Sequence, residues 1–168
     1  MDESLELEIG KLLRERRLTL AIGESCTGGL IGHRITNIPG SSNYFIGGVV
    51  AYAYEAKVKL LGVSWDTLKD YGAVSCQTVL EMARGARCVL EADIGLSSSG
   101  IAGPGGATPT KPVGTSWVGL STSDGDWACQ FYWTGDRLQN KDSLAEAALQ
   151  MLLDYLQGKH QFNTNTYA

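Results

Sequence analysis

The sequence predicts an α/β fold, a three-layer α/β/α sandwich around a mixed, mostly parallel sheet. Short apolar segments that are typical of strands alternate along the chain with segments of helical periodicity. Later in the chain, segments 115–121 and 127–134 alternate like antiparallel strands on either side of the turn Ser123-Asp124-Gly125. Helices that separate strands, followed by one hairpin, indicate a sandwich with a mixed sheet.

The composition indicates one globular domain. Of the 168 residues, 43% are hydrophobic and 19% are charged, which is enough apolar material for one buried core. We expect the domain to span 1–158 and residues 159–168 to form a disordered tail. The formal net charge of −4 argues against nucleic acid as a partner, because a generally basic surface is absent.

The sequence carries no targeting, membrane or metal-binding signal. Residues 1–10 are acidic and lack the basic and apolar regions of a signal peptide, and no apolar run approaches the length of a membrane span. We therefore expect a cytoplasmic protein with free thiols and no membrane partner. The four cysteines and two histidines lack metal-ligand spacing, so neither a metal site nor a cofactor is predicted.

The first part of the chain predicts two helices and two strands. Apolar residues recur at helical spacing over 4–17 and predict an amphipathic helix. The apolar run 18–22 predicts a strand, and after a tight turn a helical pattern runs over 30–37, where Pro39 stops it. The segment 44–54 is rich in aromatic and β-branched residues and apolar on both alternating faces. It predicts a strand that is buried on both sides.

The middle of the chain continues the alternation. Helical patterns predict two short helices over 55–61 and 64–70 and a longer one over 77–90, and a strand follows over 92–99. The segment 100–114 is too rich in glycine and proline for a regular element. Loops of that length inside compact domains are usually functional or disordered.

The last predicted helix has a capping box at its start. Asp136 is its expected N-cap, and Gln139 stands three residues later. The apolar positions of this helix are Leu144, Ala148, Met151, Leu152, Tyr155 and Leu156.

Ser25 is the candidate nucleophile. It lies in the turn between the first strand and the helix that begins at Leu30, where backbone N–H groups converge and an oxyanion or phosphate would find donors. The alternative is that Ser25 or Thr27 only caps the helix. In an α/β sheet the ligand crevice lies beyond the strand ends, where Tyr52, Tyr54 and the loop from Gly100 are also expected.

A serine nucleophile needs a base. His33 lies about two helical turns beyond Ser25, roughly 12 Å along the axis, and His160 lies in the expected tail, so a histidine base is not predicted. Lys57 and Lys59 follow the second strand, and a lysine there can lose its charge through desolvation. Lys57 is nearer to the strand end. The alternative is that these lysines are solvated.

Two further features stay open on the residues alone. Glu24 could contribute to the chemistry, orient a partner or remain exposed. The glycine-rich loop matches neither phosphate-binding fingerprint, G-x-x-x-x-G-K-[ST] or G-x-G-x-x-G, and GESCTG lacks the second glycine of the hydrolase pattern G-x-S-x-G. A loop of this kind is weak evidence for ligand binding.

Several motifs together resemble one family. They are GESCTGGLIGHRITNIPGSSNYFIGGVVAYAYEAKVKLLGV, then GAVS, then SGIAGPGG with KPVG, then GDR. In this order and spacing they resemble the C-terminal domain of the competence/damage-inducible protein CinA, which also occurs alone as nicotinamide-nucleotide amidase. The resemblance covers roughly residues 5–156.

The resemblance implies an activity and a set of roles. The family hydrolyses the carboxamide of nicotinamide mononucleotide to nicotinate mononucleotide and ammonia, without a cofactor, and often as a homo-oligomer. It implies Ser25 as nucleophile, Lys57 as its base and Tyr52 beside them. It also implies an oxyanion hole from the N–H groups of Cys26, Thr27, Gly28 and Gly29, and substrate contacts from Ser99, Gly100, Gly103, Gly105 and Arg137.

Two departures from the family pattern suggest an alternative function. Tyr54 stands where asparagine is usual, and Lys141 stands where a second arginine usually follows Arg137. Arginine binds phosphate with a bidentate fork that lysine lacks. The alternative to an active amidase is therefore a silent or altered-specificity relative that binds a nucleotide or a protein partner.

Overall fold

The computed structural model describes residues 4–159, which form five strands and six α-helices. The strands are β1 (Leu20–Glu24), β2 (Phe45–Val50), β3 (Ile94–Gly100), β4 (Thr115–Ser121) and β5 (Asp126–Tyr132). The helices are α1 (Leu5–Arg16), α2 (Leu30–Thr36), α3 (Tyr54–Leu61), α4 (Trp65–Tyr71), α5 (Cys76–Val89) and α6 (Arg137–Leu156).

The strands form one mixed sheet in the order β2-β1-β3-β4-β5. β1 lies between β2 and β3 and is parallel to both, whereas β4 is antiparallel to β3 and to β5. Four of the five strands therefore run in the same direction, and only β4 runs against them. The predicted fold class, an α/β fold with a mixed and mostly parallel sheet, is confirmed.

Helices cover both faces of the sheet. On one face α1, α2 and α6 bury side chains such as Ile9, Ile31 and Leu149 against Ile22 of β1. On the other face α3, α4 and α5 form a second core around Ala21, because neighbouring residues of a strand point to opposite faces. The molecule is thus a three-layer sandwich, with helices on both faces of the sheet.

The carboxyl ends of β1, β2 and β3 meet at one edge of the sheet, because these strands are parallel neighbours. The segments that leave this edge are the turn after β1, the connection from β2 to α3 and the loop after β3. The predicted site residues lie in these three segments, at the end of β3, in the first turn of α3 and at the start of α6.

Most predicted elements are confirmed, with boundaries that differ by at most two residues. The capping box is present: the Asp136 carboxylate accepts from the N–H of Gln139 at 2.9 Å, and the Gln139 side chain accepts from the N–H of Asp136 at 2.9 Å. The long strand over 44–54 is wrong in two respects. β2 ends at Val50, and Tyr54 begins α3.

The predicted burial of that strand on both sides is also wrong. β2 forms the edge of the sheet and pairs with β1 alone, so Ile46 and Val50 are exposed. Its apolar character does not reveal this position, because a central strand of a parallel sheet has the same composition.

Within residues 4–159 no helix combines the length and apolar character that a membrane crossing requires. The expected tail lies outside the described residues, except Lys159.

Candidate active site

The amine of Lys57 lies beside the hydroxyl of Ser25. Ser25 is the first residue after β1, and Lys57 stands in the first turn of α3, which follows β2. Since β1 and β2 are parallel neighbours, both residues emerge at the same edge of the sheet. The distance from Lys57 Nζ to Ser25 Oγ is 3.0 Å, and the two residues are only 1% and 7% exposed.

Two carbonyl groups fix the orientation of the amine. Lys57 Nζ also donates to the backbone oxygens of Ala51 at 2.8 Å and Tyr52 at 2.9 Å. A neutral amine has two N–H donors and one lone pair. When both N–H groups bond to these carbonyls, the lone pair faces Ser25 Oγ. The geometry therefore suits proton transfer from the hydroxyl to the amine.

Burial favours the neutral amine. Desolvation lowers the pKa of Lys57 from 10.5 to about 8, and among the described residues no carboxylate forms an ion pair with it. The neighbouring thiol behaves in the opposite way, since burial raises the pKa of Cys26 to about 12. Cys26 thus stays protonated near neutral pH and does not compete with Ser25 as a nucleophile.

The turn after Ser25 is held by the carboxylate of Glu24. This buried carboxylate accepts hydrogen bonds from the Thr27 hydroxyl at 2.6 Å and from the N–H groups of Gly29, Ile31 and Gly32 at 3.0, 3.1 and 2.9 Å. The first-turn donors of α2 are therefore occupied by the protein itself.

This arrangement reduces the number of N–H groups that are available to form the predicted oxyanion hole. Gly28 donates its N–H to the carbonyl of Ser25 at 3.0 Å, and Gly29 donates to Glu24. Both glycines have positive φ, 65° and 99°, which lets the chain reverse tightly after Thr27. Within residues 4–159 no hydrogen bond engages the N–H of Cys26 or Thr27. Of the predicted oxyanion donors, these two are the ones that bond to no acceptor within the described residues.

Arg137 connects three of the segments around the site. Its guanidinium, at the start of α6, donates to the Tyr52 hydroxyl at 2.9 Å and to the Gly103 carbonyl at 2.6 Å. Tyr52 follows β2, and Gly103 belongs to the loop after β3. The structure thus brings together Tyr52, Gly103 and Arg137, three of the predicted site residues. Tyr54 stands nearby in sequence at the start of α3 and is 43% exposed.

The other predicted loop residues differ in their surroundings. Gly100 packs closely against the turn, since a Cβ there would lie 3.1 Å from Cys26 Sγ. Gly105 is open, with nothing within 4 Å of its Cβ position. Ser99 instead donates its hydroxyl to the carbonyl of Ala73, at 2.7 Å, on the α5 side of the sheet. The structure does not bring the Ser99 hydroxyl to Ser25.

Sequence reasoning missed two residues that hold the site together. Ser98 alternates with Ser99 along β3, so its hydroxyl faces the opposite side and lies 2.7 Å from Thr27 Oγ1. Strand alternation could have separated these two serines. Asn140 is buried on α6 and binds both the Ala102 carbonyl, at 3.1 Å, and the Gly135 N–H, at 3.0 Å. No sequence pattern identified it.

Two clefts flank Arg137 and share Leu138 as a wall. One, of about 340 Å³, contains Lys141 and His33 and lies along the turn. Its lining residues are Thr27, Gly28, Gly29, Leu30, His33, Leu138, Lys141 and Asp142. The other, of about 550 Å³, lies along the glycine loop and is lined by Ala102, Gly103, Pro104, Val113, Gly135, Asp136, Arg137 and Leu138. Both clefts are large enough for part of a small ligand.

Comparisons with known proteins agree on one family. The sequence model of the CinA C-terminal domain matches residues 2–156. A CinA-like protein of Chlorobaculum tepidum is 51% identical over 155 residues, which cover 89% of this chain and 37% of that protein. The chain thus spans about two fifths of the length of the curated relatives that it matches.

Solved structures show the same fold. A competence/damage inducible protein from Agrobacterium tumefaciens superposes with a TM-score of 0.85 at 34% identity, covering 94% of this chain and 98% of that one. The competence damage-inducible protein A from Klebsiella pneumoniae gives a TM-score of 0.88 at 31% identity, covering 91% and 95%. The match over nearly the whole sequence, together with these relatives, shows that the chain belongs to the CinA C-terminal domain family.

Proposed function

We propose that this chain is an amidohydrolase that converts nicotinamide mononucleotide to nicotinate mononucleotide and ammonia. The observation that carries the proposal is the contact of 3.0 Å between Lys57 Nζ and Ser25 Oγ. Two backbone carbonyls also accept from Lys57 Nζ, so the two N–H groups of a neutral amine are both occupied and its lone pair is left for Ser25. Acyl transfer needs a nucleophile, a base and donors for an oxyanion. The chain offers Ser25, Lys57 and the N–H groups of Cys26 and Thr27.

The first half of the reaction forms an ester on Ser25. Its Oγ attacks the carboxamide carbon while the hydroxyl proton moves to Lys57 Nζ, and the substrate oxygen becomes an oxyanion that the two free N–H groups stabilise. Lys57 then gives this proton to the departing nitrogen. The carbon–nitrogen bond breaks, ammonia leaves, and the electron pair of the oxyanion restores the carbonyl.

The second half hydrolyses that ester. Lys57, again neutral, takes a proton from a water molecule whose oxygen attacks the acyl carbon. When the intermediate collapses, the proton returns from Lys57 to Ser25 Oγ. The acid that forms keeps the second proton of the water and loses it to solvent, so nicotinate mononucleotide leaves as the carboxylate. Because the same lysine serves as base and acid in both halves, its pKa of about 8 suits the task near neutral pH.

The nucleotide part of the substrate would occupy the clefts on either side of Leu138. Arg137 and Lys141 stand on these two clefts and provide positive charge for a phosphate. The protein's formal charge of −4 makes such local charge necessary, because the overall field does not attract an anion.

A second candidate function is nucleotide binding without turnover. Two residues favour it: Tyr54, a large phenol where the family usually has asparagine, and Lys141, a single ammonium where the family usually has arginine. Both stand beside the site, Tyr54 three residues before Lys57 and Lys141 in the cleft along the turn.

As a further proposal from the family, we expect a homo-oligomer, which light scattering on the purified chain would reveal.

One experiment separates the two candidates. The purified chain is incubated with nicotinamide mononucleotide, and ammonia and nicotinate mononucleotide are measured together, with the Ser25→Ala variant as control. Stoichiometric production of both, absent in the variant, supports the amidase. Binding of the nucleotide by calorimetry without either product would favour the second candidate.

A further inference from the structure

The buried carboxylate of Glu24 has no role in the dyad of Ser25 and Lys57, yet it forms more hydrogen bonds than the other side chains at the site. Its Oε2 accepts from the Thr27 hydroxyl and from the N–H groups of Gly29 and Ile31, and its Oε1 accepts from the N–H of Gly32. Glu24 is 2% exposed. Among the described residues no Lys or Arg forms an ion pair with it.

We propose that Glu24 is a positioning residue that keeps the N–H groups of Cys26 and Thr27 free and aimed at the oxyanion of the reaction. The inference rests on the proposed function only in taking Ser25 as a nucleophile that generates an oxyanion.

Glu24 sets the path of the chain in the turn after β1. The bonds from Glu24 to Thr27 and to Gly29 span the turn that begins at Ser25. Cys26 and Thr27 lie inside the segment that these bonds close. Their N–H directions are therefore set by the bonds that Glu24 makes, together with the 3.0 Å bond from the Ser25 N–H to the Ser98 carbonyl.

Glu24 also determines which group donates in each hydrogen bond around Thr27. An ionised carboxylate only accepts hydrogen bonds, so the Thr27 hydroxyl donates its proton to Glu24. In the 2.7 Å contact between Thr27 and Ser98, the proton then comes from Ser98. The Thr27 hydroxyl has no proton left for an oxyanion. Thr27 contributes through its backbone N–H alone.

The contacts of residue 24 require a carboxylate. All four contacts of Glu24 are with donors, and a carboxylate has acceptor sites on both oxygens. Glutamine has one acceptor oxygen, and its NH₂ group would face a donor. If its oxygen replaces Oε2, the NH₂ faces the N–H of Gly32, and the first turn of α2 must shift. Because the N–H of Gly29 also bonds to residue 24, the same shift displaces the turn that follows Ser25.

The chain offers a matched control for a merely structural effect. Glu81, on α5, accepts from the N–H of Ser64 at 2.8 Å and from the Thr67 hydroxyl at 2.7 Å at the start of α4. Like Glu24, it accepts from a backbone N–H and from a threonine hydroxyl at a helix start, but it is not part of the site. Glu81→Gln removes a carboxylate cap without touching Ser25.

The test uses two readouts on wild type, Glu24→Gln and Glu81→Gln. The first is steady-state hydrolysis of nicotinamide mononucleotide, and the second is the rate at which a fluorophosphonate probe labels Ser25, followed by intact mass. The probe forms a bond from Ser25 Oγ to phosphorus and releases fluoride, and its phosphoryl oxygen takes the place of the oxyanion. Thermal unfolding is recorded for each variant so that all rates are compared well below the melting temperatures.

For Glu24→Gln we expect kcat and the labelling rate to fall by about tenfold or more, since loss of one oxyanion donor commonly costs about 10²–10³ in kcat. KM should change little, and the apparent pKa of the rate should stay near that of wild type, because Lys57 does not contact Glu24. Glu81→Gln should retain both rates.

The outcomes separate this inference from the proposed function. If wild type is labelled but forms no ammonia, and Glu24→Gln still slows labelling, the proposed function fails and the positioning role stands. Equal labelling of Glu24→Gln and Glu81→Gln overturns the positioning role, as does a change in KM alone. Wild type that resists labelling overturns it as well, because Ser25 is then not an activated nucleophile.

Discussion

The guanidinium of Arg137 donates a hydrogen bond of 2.9 Å to the hydroxyl of Tyr52, which lies 85 positions earlier in the chain. The same guanidinium donates to the Gly103 carbonyl at 2.6 Å. One side chain thus ties the start of α6 to the segment after β2 and to the glycine loop. Tyr52 also provides one of the carbonyls that bind the Lys57 amine, so the same residue contacts both Arg137 and Lys57.

Arg137→Lys should weaken substrate binding more than it slows the chemistry. An ammonium cannot make both of the fork-like bonds that the guanidinium makes to Tyr52 and Gly103. We expect KM for nicotinamide mononucleotide to rise about tenfold, with kcat reduced less, because one charge-assisted bond is worth about 1.5–3 kcal/mol.

Tyr52→Phe is the companion variant for Arg137→Lys, because it removes the phenol contact and keeps the Tyr52 carbonyl. A role limited to positioning Arg137 predicts a smaller effect than that of Arg137→Lys. If Tyr52→Phe lowers kcat more than Arg137→Lys does, the phenol takes part in the reaction itself.

Ser25→Ala should reduce turnover by several orders of magnitude and leave the fold intact. Serine nucleophiles that act with a base commonly account for about 10⁶-fold in kcat. The side chain is small, and its backbone N–H bond to Ser98 does not depend on the hydroxyl. Rapid quenching of wild type with substrate should also reveal the acyl-enzyme by intact mass. A folded Ser25→Ala variant with wild-type turnover would exclude this mechanism.

The rate should rise with pH because Lys57 must be neutral to act as the base. Burial lowers its pKa to about 8, so kcat/KM should be half-maximal near that pH and level off above it. Lys57→Arg should be inactive, because a guanidinium does not lose its proton in this range. Lys59→Arg is the matched control on the same helix and should keep both the rate and the profile. The reverse result would show that Lys59 is the base.

Gly85→Ala should destabilise the protein by pushing α3 away from α5. A Cβ at Gly85 would lie 1.8 Å from the backbone oxygen of Leu61, at the end of the helix that carries Lys57. Overpacking of this kind commonly costs about 1–3 kcal/mol. Urea unfolding would measure the loss. Gly105→Ala, where nothing lies within 4 Å of the Cβ position, should leave the free energy of unfolding nearly unchanged.

The elements that the sequence predicted best are those with local signals. The capping box fixes the start of α6 because Asp136 and Gln139 lie within one turn, and β4 has the predicted bounds because its alternation ends at a tight turn. The position of β2 at the sheet edge depends on strands more than forty residues away. No local pattern reports it.

The features of the site also fall into those that the sequence can predict and those that it cannot. The approach of Lys57 to Ser25 follows from two strand ends that parallel pairing brings together, so spacing and the family resemblance could suggest it. The occupation of the Gly29 N–H by Glu24 is a matter of rotamer and turn geometry over five residues. Composition carries no information on that choice, so the sequence does not reveal that the N–H groups of Gly28 and Gly29 bond within the protein.

Tyr54, which stands where the family resemblance implies asparagine, allows a test of the proposed substrate site. It begins α3, three residues before Lys57, and at 43% exposure it lies outside the hydrophobic core. An asparagine amide both donates and accepts hydrogen bonds and can pair with a carboxamide, whereas a phenol has one hydroxyl on a rigid ring.

Loss of one such polar contact commonly costs about 1–3 kcal/mol, which lowers kcat/KM by roughly one to two orders of magnitude. We therefore expect weak amidase activity in wild type and a partial recovery in Tyr54→Asn, measured as kcat/KM for nicotinamide mononucleotide. Tyr54→Phe is the control, since it keeps the ring and removes the hydroxyl, and it should not recover activity. Equal kcat/KM in wild type and Tyr54→Asn, at equal stability, would mean that the Tyr54 side chain does not reach the substrate and that its ring serves another surface, such as a contact between subunits.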